Sequence, residues 1–136
     1  MRRPVPWAED EGIAGMQVIE GAGRYTTATG GEPNHWAEHM ASEDLSVGTY
    51  SIPAGGVDDQ EPHREDEIYV VQAGAATLVT DSGTVGVGPG SVIFVPAGEN
   101  HTFTDVREDL ALLVVFAPPY GSRGDVEMPG PAPSSS

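Results

Sequence analysis

Three absences narrow the chemistry available to this chain of 136 residues. It contains no cysteine, which excludes disulfides, thiolate catalysis and cysteine-type zinc sites but does not fix the compartment. It contains no lysine, so catalysis through a lysine Schiff base is excluded. No apolar run approaches the roughly 20 residues that a membrane helix requires, and none follows Arg2 and Arg3 as in a secretory signal. We therefore predict a cytoplasmic protein with no membrane partner.

Positive charge is scarce as well. Six basic residues, all of them arginine, stand against 21 acidic residues, and the formal net charge is -15. A surface of this charge repels phosphate backbones, so no nucleic-acid partner is expected. The length suits one domain with a sizeable core.

The composition divides the chain into three parts. Residues 1–12 carry two prolines and an acidic run and are predicted to form a flexible arm. Residues 13–117 hold the strand-like segments and are predicted to form one all-β domain. Proline, glycine and serine dominate residues 118–136, which are predicted to form a disordered tail.

Short β-branched and aromatic segments recur between turn signals, which is typical of an all-β sandwich or barrel. A first short strand is expected at Met16–Glu20. The further predicted strands are Trp36–Met40, Leu45–Ile52, Glu67–Gln72, Ala75–Thr80, Thr84–Val87, Ser91–Val95, His101–Asp105 and Leu110–Phe116. Turns are predicted at Ala73–Gly74, Asp81–Gly83 and Gly88–Gly90.

One segment imitates a metalloprotease motif. His35 to His39 reads H-x-x-E-H, which on a helix would place two histidines one turn apart on a zinc ion. Pro33 stands just before it and a strand-like segment follows, so we predict a strand and reject the metalloprotease interpretation. His39 is kept as a candidate substrate-binding residue, beside the simpler interpretation of a satisfied polar side chain.

Four potential metal ligands or acid–base groups lie in two short segments. Glu61, His63 and Glu67 have the same parity, so on an extended strand they point to one face. His101 follows the second glycine-rich segment. Two imidazoles with one or two carboxylates can bind a divalent first-row metal such as iron, zinc or manganese. Taken singly, each residue is better explained as a solvated charge or an ordinary polar side chain.

The spacing of these residues resembles the two motifs of the cupin superfamily. The first motif, 55–74, is matched by Gly55, Glu61, His63, Glu67 and Gly74, and Glu61 stands where most members have histidine. The second, 90–105, is matched by Gly90, Pro96, Gly98 and His101, with Asp105 where asparagine is usual. The resemblance covers roughly residues 45–117, and the chain is identified as a member of that superfamily.

The resemblance implies a single-domain cupin jelly-roll β-barrel that holds one divalent transition metal (iron, zinc or manganese) near one mouth. His63, Glu67 and His101 take the positions of three metal ligands. Glu61 is either a fourth ligand or a catalytic general base beside a three-ligand site, and ligation is favoured because Glu61 shares a face with His63.

Aromatic residues supply the candidate substrate pocket. Tyr50, Tyr69, Phe94 and Phe103 are predicted to line it, and Tyr69 and Phe103 share a face with Glu67 and His101. Barrel filling explains these rings at least as well.

Three functions follow from the resemblance. The first is an iron(II) dioxygenase for a small metabolite that chelates the metal. The second, somewhat favoured by Glu61, is Lewis-acid catalysis with zinc or manganese, as in an isomerase, lyase or cyclase, including enzymes of secondary metabolism. The third is a non-catalytic barrel that binds a small molecule. A homodimer built through the N-terminal strands is expected.

Overall fold

The computed structural model describes residues 15–122 of the chain. Within that range six strands form one antiparallel system: β1 (His35–Ala41), β2 (Ser46–Ile52), β3 (Asp66–Thr80), β4 (Gly83–Val87), β5 (Val92–Val95) and β6 (His101–Ala117). Residues 15–122 include no helix of the length and apolarity that a membrane crossing demands. The all-β prediction is confirmed. The predicted arm 1–12 and the tail from residue 123 onward lie outside the described residues.

The two longest strands organise the sheet. The strand order is β1-β2-β6-β3-β4, and β5 pairs with β3. The segments Glu67–Gln72 and Ala75–Thr80 are parts of the single strand β3, so the predicted turn at Ala73–Gly74 is wrong. His101–Asp105 and Leu110–Phe116 likewise belong to one strand, β6. The prediction of a strand at Met16–Glu20 is also wrong, since these residues are irregular.

A β-bulge explains why β3 reads as two strands in the sequence. The pairing of β3 with β6 shifts register between Val71 and Thr77, and Gly74 has a φ of 95°. Buried positions are odd-numbered from Glu67 to Val71 and even-numbered from Gly74 to Leu78. An extra residue bends the strand and changes which face is inward. The two halves of β3 thus contribute to the same core.

The core runs through the strands that pair with β3 and β6. Its fully buried large side chains include Tyr50, Tyr69, Phe103, Phe116, Ile52, Leu78, Leu110 and Leu112. Trp36 on β1 is paired with Tyr50 on β2 and packs against this core from the edge. The strand at His35–Ala41 confirms the rejection of a zinc-binding helix there.

Asp58 anchors the connection between β2 and β3. Its carboxylate accepts hydrogen bonds from the Tyr50 hydroxyl at 2.8 Å, the Phe103 N–H at 2.8 Å and the Gln60 N–H at 3.2 Å. The Asp58 side chain is nearly buried, so these bonds compete little with water. The loop that carries the first motif is therefore fastened to both β2 and β6.

Asp58→Asn is expected to lower the free energy of unfolding by roughly 1–3 kcal/mol. The amide replaces one acceptor oxygen with a donor, so at least one of the three N–H or O–H groups faces another donor. Urea unfolding measures the loss. The control is Asp59→Asn, whose exposed side chain accepts from Asn34 and keeps an oxygen for that bond. Equal stability of the two variants would contradict the anchoring role of Asp58.

Candidate metal centre

Three side chains from different parts of the chain converge at one end of the barrel. His63 lies in the loop before β3, Glu67 near the start of β3, and His101 at the start of β6. Their ligand atoms all lie within 4.8 Å of one another. Glu67 Oε1 is 2.8 Å from His63 Nε2 and 3.1 Å from His101 Nε2. The side chains are 10%, 0% and 1% exposed for His63, Glu67 and His101, so this is a buried polar cluster.

Backbone contacts bring the two motif segments together. The Gly98 N–H donates to the His63 carbonyl at 2.8 Å, and the Ala97 N–H donates to Asp66 Oδ1 at 2.9 Å. Strand β5 pairs beside the first half of β3, with Val95 opposite Glu67. The connection from β5 to His101 therefore runs alongside the loop that carries His63.

Both histidines are held in the orientation of metal ligands. His63 Nδ1 lies 3.2 Å from the Glu65 carbonyl and His101 Nδ1 lies 2.9 Å from the Glu99 carbonyl. A carbonyl only accepts, so each Nδ1 carries the proton that it donates. In the neutral rings the lone pair is then on Nε2, the atom that faces Glu67. This backbone-fixed tautomer is the usual arrangement of a metal-bound imidazole.

Two polar atoms of the cluster are buried without a hydrogen-bond partner. Glu67 Oε2 and His101 Nε2 are buried and have no hydrogen-bond partner among residues 15–122. His101 Nε2 is close to Glu67 Oε1, but the orientation is not that of a hydrogen bond. His63 Nε2 is within hydrogen-bond distance of Glu67 Oε1, at 2.8 Å. An imidazole lone pair directed at the buried carboxylate would repel it unless a proton or a metal ion lay between them. The donor set of two nitrogens and one carboxylate fits a divalent transition metal.

Glu67 and His101 also shift each other's pKa. Burial alone would raise the pKa of the Glu67 carboxyl, but interactions with His101 and His63 outweigh it, so this pKa lies below its ordinary value of 4.5. Burial alone would lower the pKa of His101, but Glu67 outweighs it with help from the Glu99 carbonyl and Asp58, so this pKa lies above 6.5. The metal-free cluster therefore favours an ionised Glu67 beside a protonated His101.

The metal-free protein should be stabilised most by this pair between pH 4.5 and 6.5. Glu67, whose pKa is lowered by folding, contributes stability above its unfolded pKa that is lost as the pH falls through its folded pKa. His101, whose pKa is raised, contributes stability below its unfolded pKa that is lost as the pH rises through its folded pKa. Urea unfolding of chelator-treated protein from pH 4 to 9, with Glu67→Gln as reference, measures the difference. A difference independent of pH would contradict the coupling.

The other predicted site residues lie outside the cluster of His63, Glu67 and His101. Glu61 is exposed and lies outside the group of three, but it lines a cavity of about 310 Å³ beside His63. Tyr50 lines the same cavity. Tyr69 and Phe103 are buried at 0% and 2% exposure and belong to the core, with the Tyr69 hydroxyl donating to Gln60.

His39 belongs to a different part of the surface. Its Nε2 is 2.6 Å from the Thr49 hydroxyl, and the cavity that it lines contains none of the three clustered residues. This contact agrees with the interpretation of His39 as a polar side chain that has a hydrogen-bond partner.

Three aromatic residues of the cavity beside His63 were missed by sequence reasoning: Trp36, Phe116 and Tyr120. Residues 118–122, assigned to the tail, are described by the structure. The Tyr120 N–H donates to the Ser46 hydroxyl at 3.0 Å, and the Gly121 N–H donates to Glu65 Oε2 at 2.9 Å. The strand predicted at Trp36–Met40 carried no indication of its partner, and nothing in the proline-rich tail indicated a role for Tyr120.

Comparison with known proteins identifies the family to which the chain belongs. The family model Cupin_2, described as a cupin domain, matches residues 48–116. An uncharacterized protein of Streptomyces coelicolor is 43% identical over 84 residues, which cover 62% of this chain and 80% of that protein. The matched range agrees with the region, roughly 45–117, in which the two motifs were found.

Solved structures share the fold at low sequence identity. An RmlC-like cupin protein from Desulfovibrio desulfuricans superposes with a TM-score of 0.63 at 18% identity, covering 77% of this chain and 99% of that one. KdgF from Halomonas sp. gives 0.59 at 21% identity, covering 65% and 83%. The DMSP lyase DddQ from Ruegeria pomeroyi gives 0.57 at 24% identity, covering 71% of this chain. The chain spans about half the length of that lyase, at 49%.

Proposed function

Because the chain belongs to the Cupin_2 family of cupin domains, we propose that it is a metal-dependent enzyme for a small polar metabolite. His63, Glu67 and His101 would hold one divalent transition metal. The observation that carries the proposal is the set of ring nitrogens and carboxylate oxygens that converge without an internal partner for Glu67 Oε2 and His101 Nε2. Three protein ligands also leave open positions for a substrate.

The metal would decide the type of reaction. When bound, iron(II) would supply dioxygen chemistry beside a chelating substrate, whereas zinc or manganese would supply a Lewis acid that polarises a carbonyl. Of these, Lewis-acid catalysis of an isomerase, lyase or cyclase type is favoured. Its support is Glu61, a carboxylate at a position where the family usually has a neutral histidine.

Glu61 is the residue of this chain placed to move a proton. It is exposed in the wall of the cavity that His63 also lines, outside the group of three. This position supports a general base, while a fourth ligand remains the alternative prediction. A base needs hydrogen-bond reach to the substrate, and the cavity that Glu61 shares with His63 supports this role.

The alternative function is a barrel that binds a small molecule without chemistry. It predicts that replacement of His63 or Glu67 leaves ligand binding largely intact. The enzyme proposal predicts that the same replacements remove metal and activity together.

Elemental analysis of protein purified without added metal or chelating resin tests the proposal. Near-stoichiometric iron would support an oxygenase and lead to oxygen-uptake assays. Zinc or manganese would support the Lewis-acid reaction and lead to isomerase and lyase screens under anaerobic conditions. No metal, even after reconstitution with each ion, would overturn both enzymatic functions.

The homodimer, the cytoplasmic location and the lack of nucleic-acid or membrane partners stay predictions from the sequence. For the dimer, support comes from β1, which pairs only with β2 among the described strands and so has a free edge. Light scattering on the full chain measures the mass.

A further inference from the structure

The cavity beside the metal centre has walls of a distinctive chemistry. Its volume of about 310 Å³ lies at the lower end of the range for small-molecule sites, so it suits a compact group. Its lining residues are Asn34, Trp36, Tyr50, Asp59, Gln60, Glu61, Pro62, His63, Phe116 and Tyr120. His63 belongs both to this lining and to the cluster of three ligands, so the cavity adjoins the metal centre.

Three rings form one side of this cavity. The Trp36 ring centroid lies 5.9 Å from that of Phe116 and 6.0 Å from that of Tyr120, with interplanar angles of 78° and 64°. Phe116 and Tyr120 are 4.7 Å apart. Phe116 is buried, but Trp36 is half-buried and Tyr120 is 47% exposed. The Phe116 and Tyr120 planes are inclined by 33°. The exposed parts of Trp36 and Tyr120 offer aromatic surface to a ligand in the cavity.

Negative charge completes the lining. Asp59 and Glu61 are both exposed in the cavity wall, and the Asn34 amide holds Asp59 Oδ1 at 3.0 Å. Glu65 lies buried behind His63, with its Oε1 3.7 Å from His63 Nδ1. None of the described residues that line the cavity is lysine or arginine. Aromatic faces beside carboxylates attract a cation and repel an anion.

We propose that this cavity seats a compact organic cation, an alkyl-substituted ammonium group of the substrate. The rings of Trp36, Phe116 and Tyr120 contact its alkyl groups, and Asp59 and Glu61 balance its charge. The rest of the substrate extends past His63 to the metal centre. This inference rests on the proposed function, since it names the substrate class of that site, but the cation-binding half can be measured without turnover.

The test compares two probes that differ only in charge. Choline and 3,3-dimethylbutan-1-ol have nearly the same shape, with a quaternary nitrogen in one and a carbon in the other. Binding to metal-loaded full-length protein is followed by NMR through the indole N–H of Trp36, at constant ionic strength. We expect choline to bind at least about tenfold more tightly than the alcohol, the size of a partly desolvated cation–π contact with charge neutralisation. Equal affinities, or a tighter alcohol, would overturn the inference.

Two sets of variants test which residues cause the preference for choline over the alcohol. Tyr120→Leu should weaken choline binding by about threefold or more, whereas Tyr120→Phe, which keeps the ring, should change it by less than about twofold. Asp59→Asn with Glu61→Gln should reduce the preference for choline over the alcohol to below about threefold. Glu43→Gln, an exposed change in the β1–β2 turn, should leave the preference intact. A preference that survives in Tyr120→Leu and in the double variant would place the cation elsewhere and overturn the inference.

Metal content measured on the same samples separates the two proposals. A choline preference in protein that binds no metal would contradict the proposed enzyme and support the cation site. Metal bound by wild-type protein that does not distinguish choline from the alcohol would support the metal centre and overturn the cation site.

Discussion

Glu67→Gln is expected to weaken the binding of a divalent metal by at least about 100-fold. Changes to groups outside the ligand shell cost roughly 10–100-fold in metal affinity, and loss of a ligand should cost no less. Glu67 is also the group that both imidazole Nε2 atoms face, at 2.8 and 3.1 Å. The amide keeps the shape of the side chain but removes its negative charge. Isothermal titration with zinc and with manganese measures the change.

Two further variants make this result specific. Glu108→Gln removes an exposed carboxylate on β6 and should leave metal affinity within about twofold of wild type. Glu61→Gln separates the two roles of Glu61: a fourth ligand would lower the affinity, whereas a general base would leave it unchanged and lower turnover. Wild-type affinity in a folded Glu67→Gln protein would contradict the assignment of Glu67 as a ligand.

Gly74→Ala is expected to destabilise the fold by roughly 3–5 kcal/mol, the combined cost of a strained φ and of overpacking. Gly74 forms the bulge in β3 with a φ of 95°. An added Cβ would lie against the Asp109 carbonyl oxygen and 2.7 Å from Leu110 Cα. Both are backbone atoms of β6, so no side-chain rotation relieves the contact. Urea unfolding monitored by circular dichroism measures the loss.

Gly86→Ala is the matched control. Gly86 lies in β4, and a Cβ there meets nothing within 4 Å. A change in the free energy of unfolding within about 0.5 kcal/mol is expected, as for most surface substitutions. Equal losses in the two variants would show that the bulge at Gly74 does not depend on glycine.

The convergence of the three clustered residues could be predicted because the two motifs resemble those of the cupin superfamily, which implies that these positions form one metal site. His63 and Glu67 are separated by a fixed length of chain, and the glycines and proline of the second motif set the turn before His101. Most strands could also be predicted, because β-branched and aromatic segments between turn residues are a local sequence signal. These features depend on residues that are close together in the sequence.

The cavity walls could not be predicted in this way. Trp36 and Tyr120 are far apart in the sequence and meet only after β1 has paired with β2 and the chain beyond β6 has returned to Ser46. The bulge at Gly74 could not be predicted either, because a glycine between two strand-like segments is also typical of a hairpin turn. In both cases tertiary pairing, not local pattern, decides the outcome.

The proposed metal centre consists of His63, Glu67 and His101, which together would hold one ion. Crystals of metal-loaded protein, measured above and below the absorption edge of the ion, test this proposal most directly. We expect a single anomalous peak bounded by His63 Nε2, His101 Nε2 and the Glu67 carboxylate. A peak elsewhere, or no peak in crystals grown with excess metal, would contradict it.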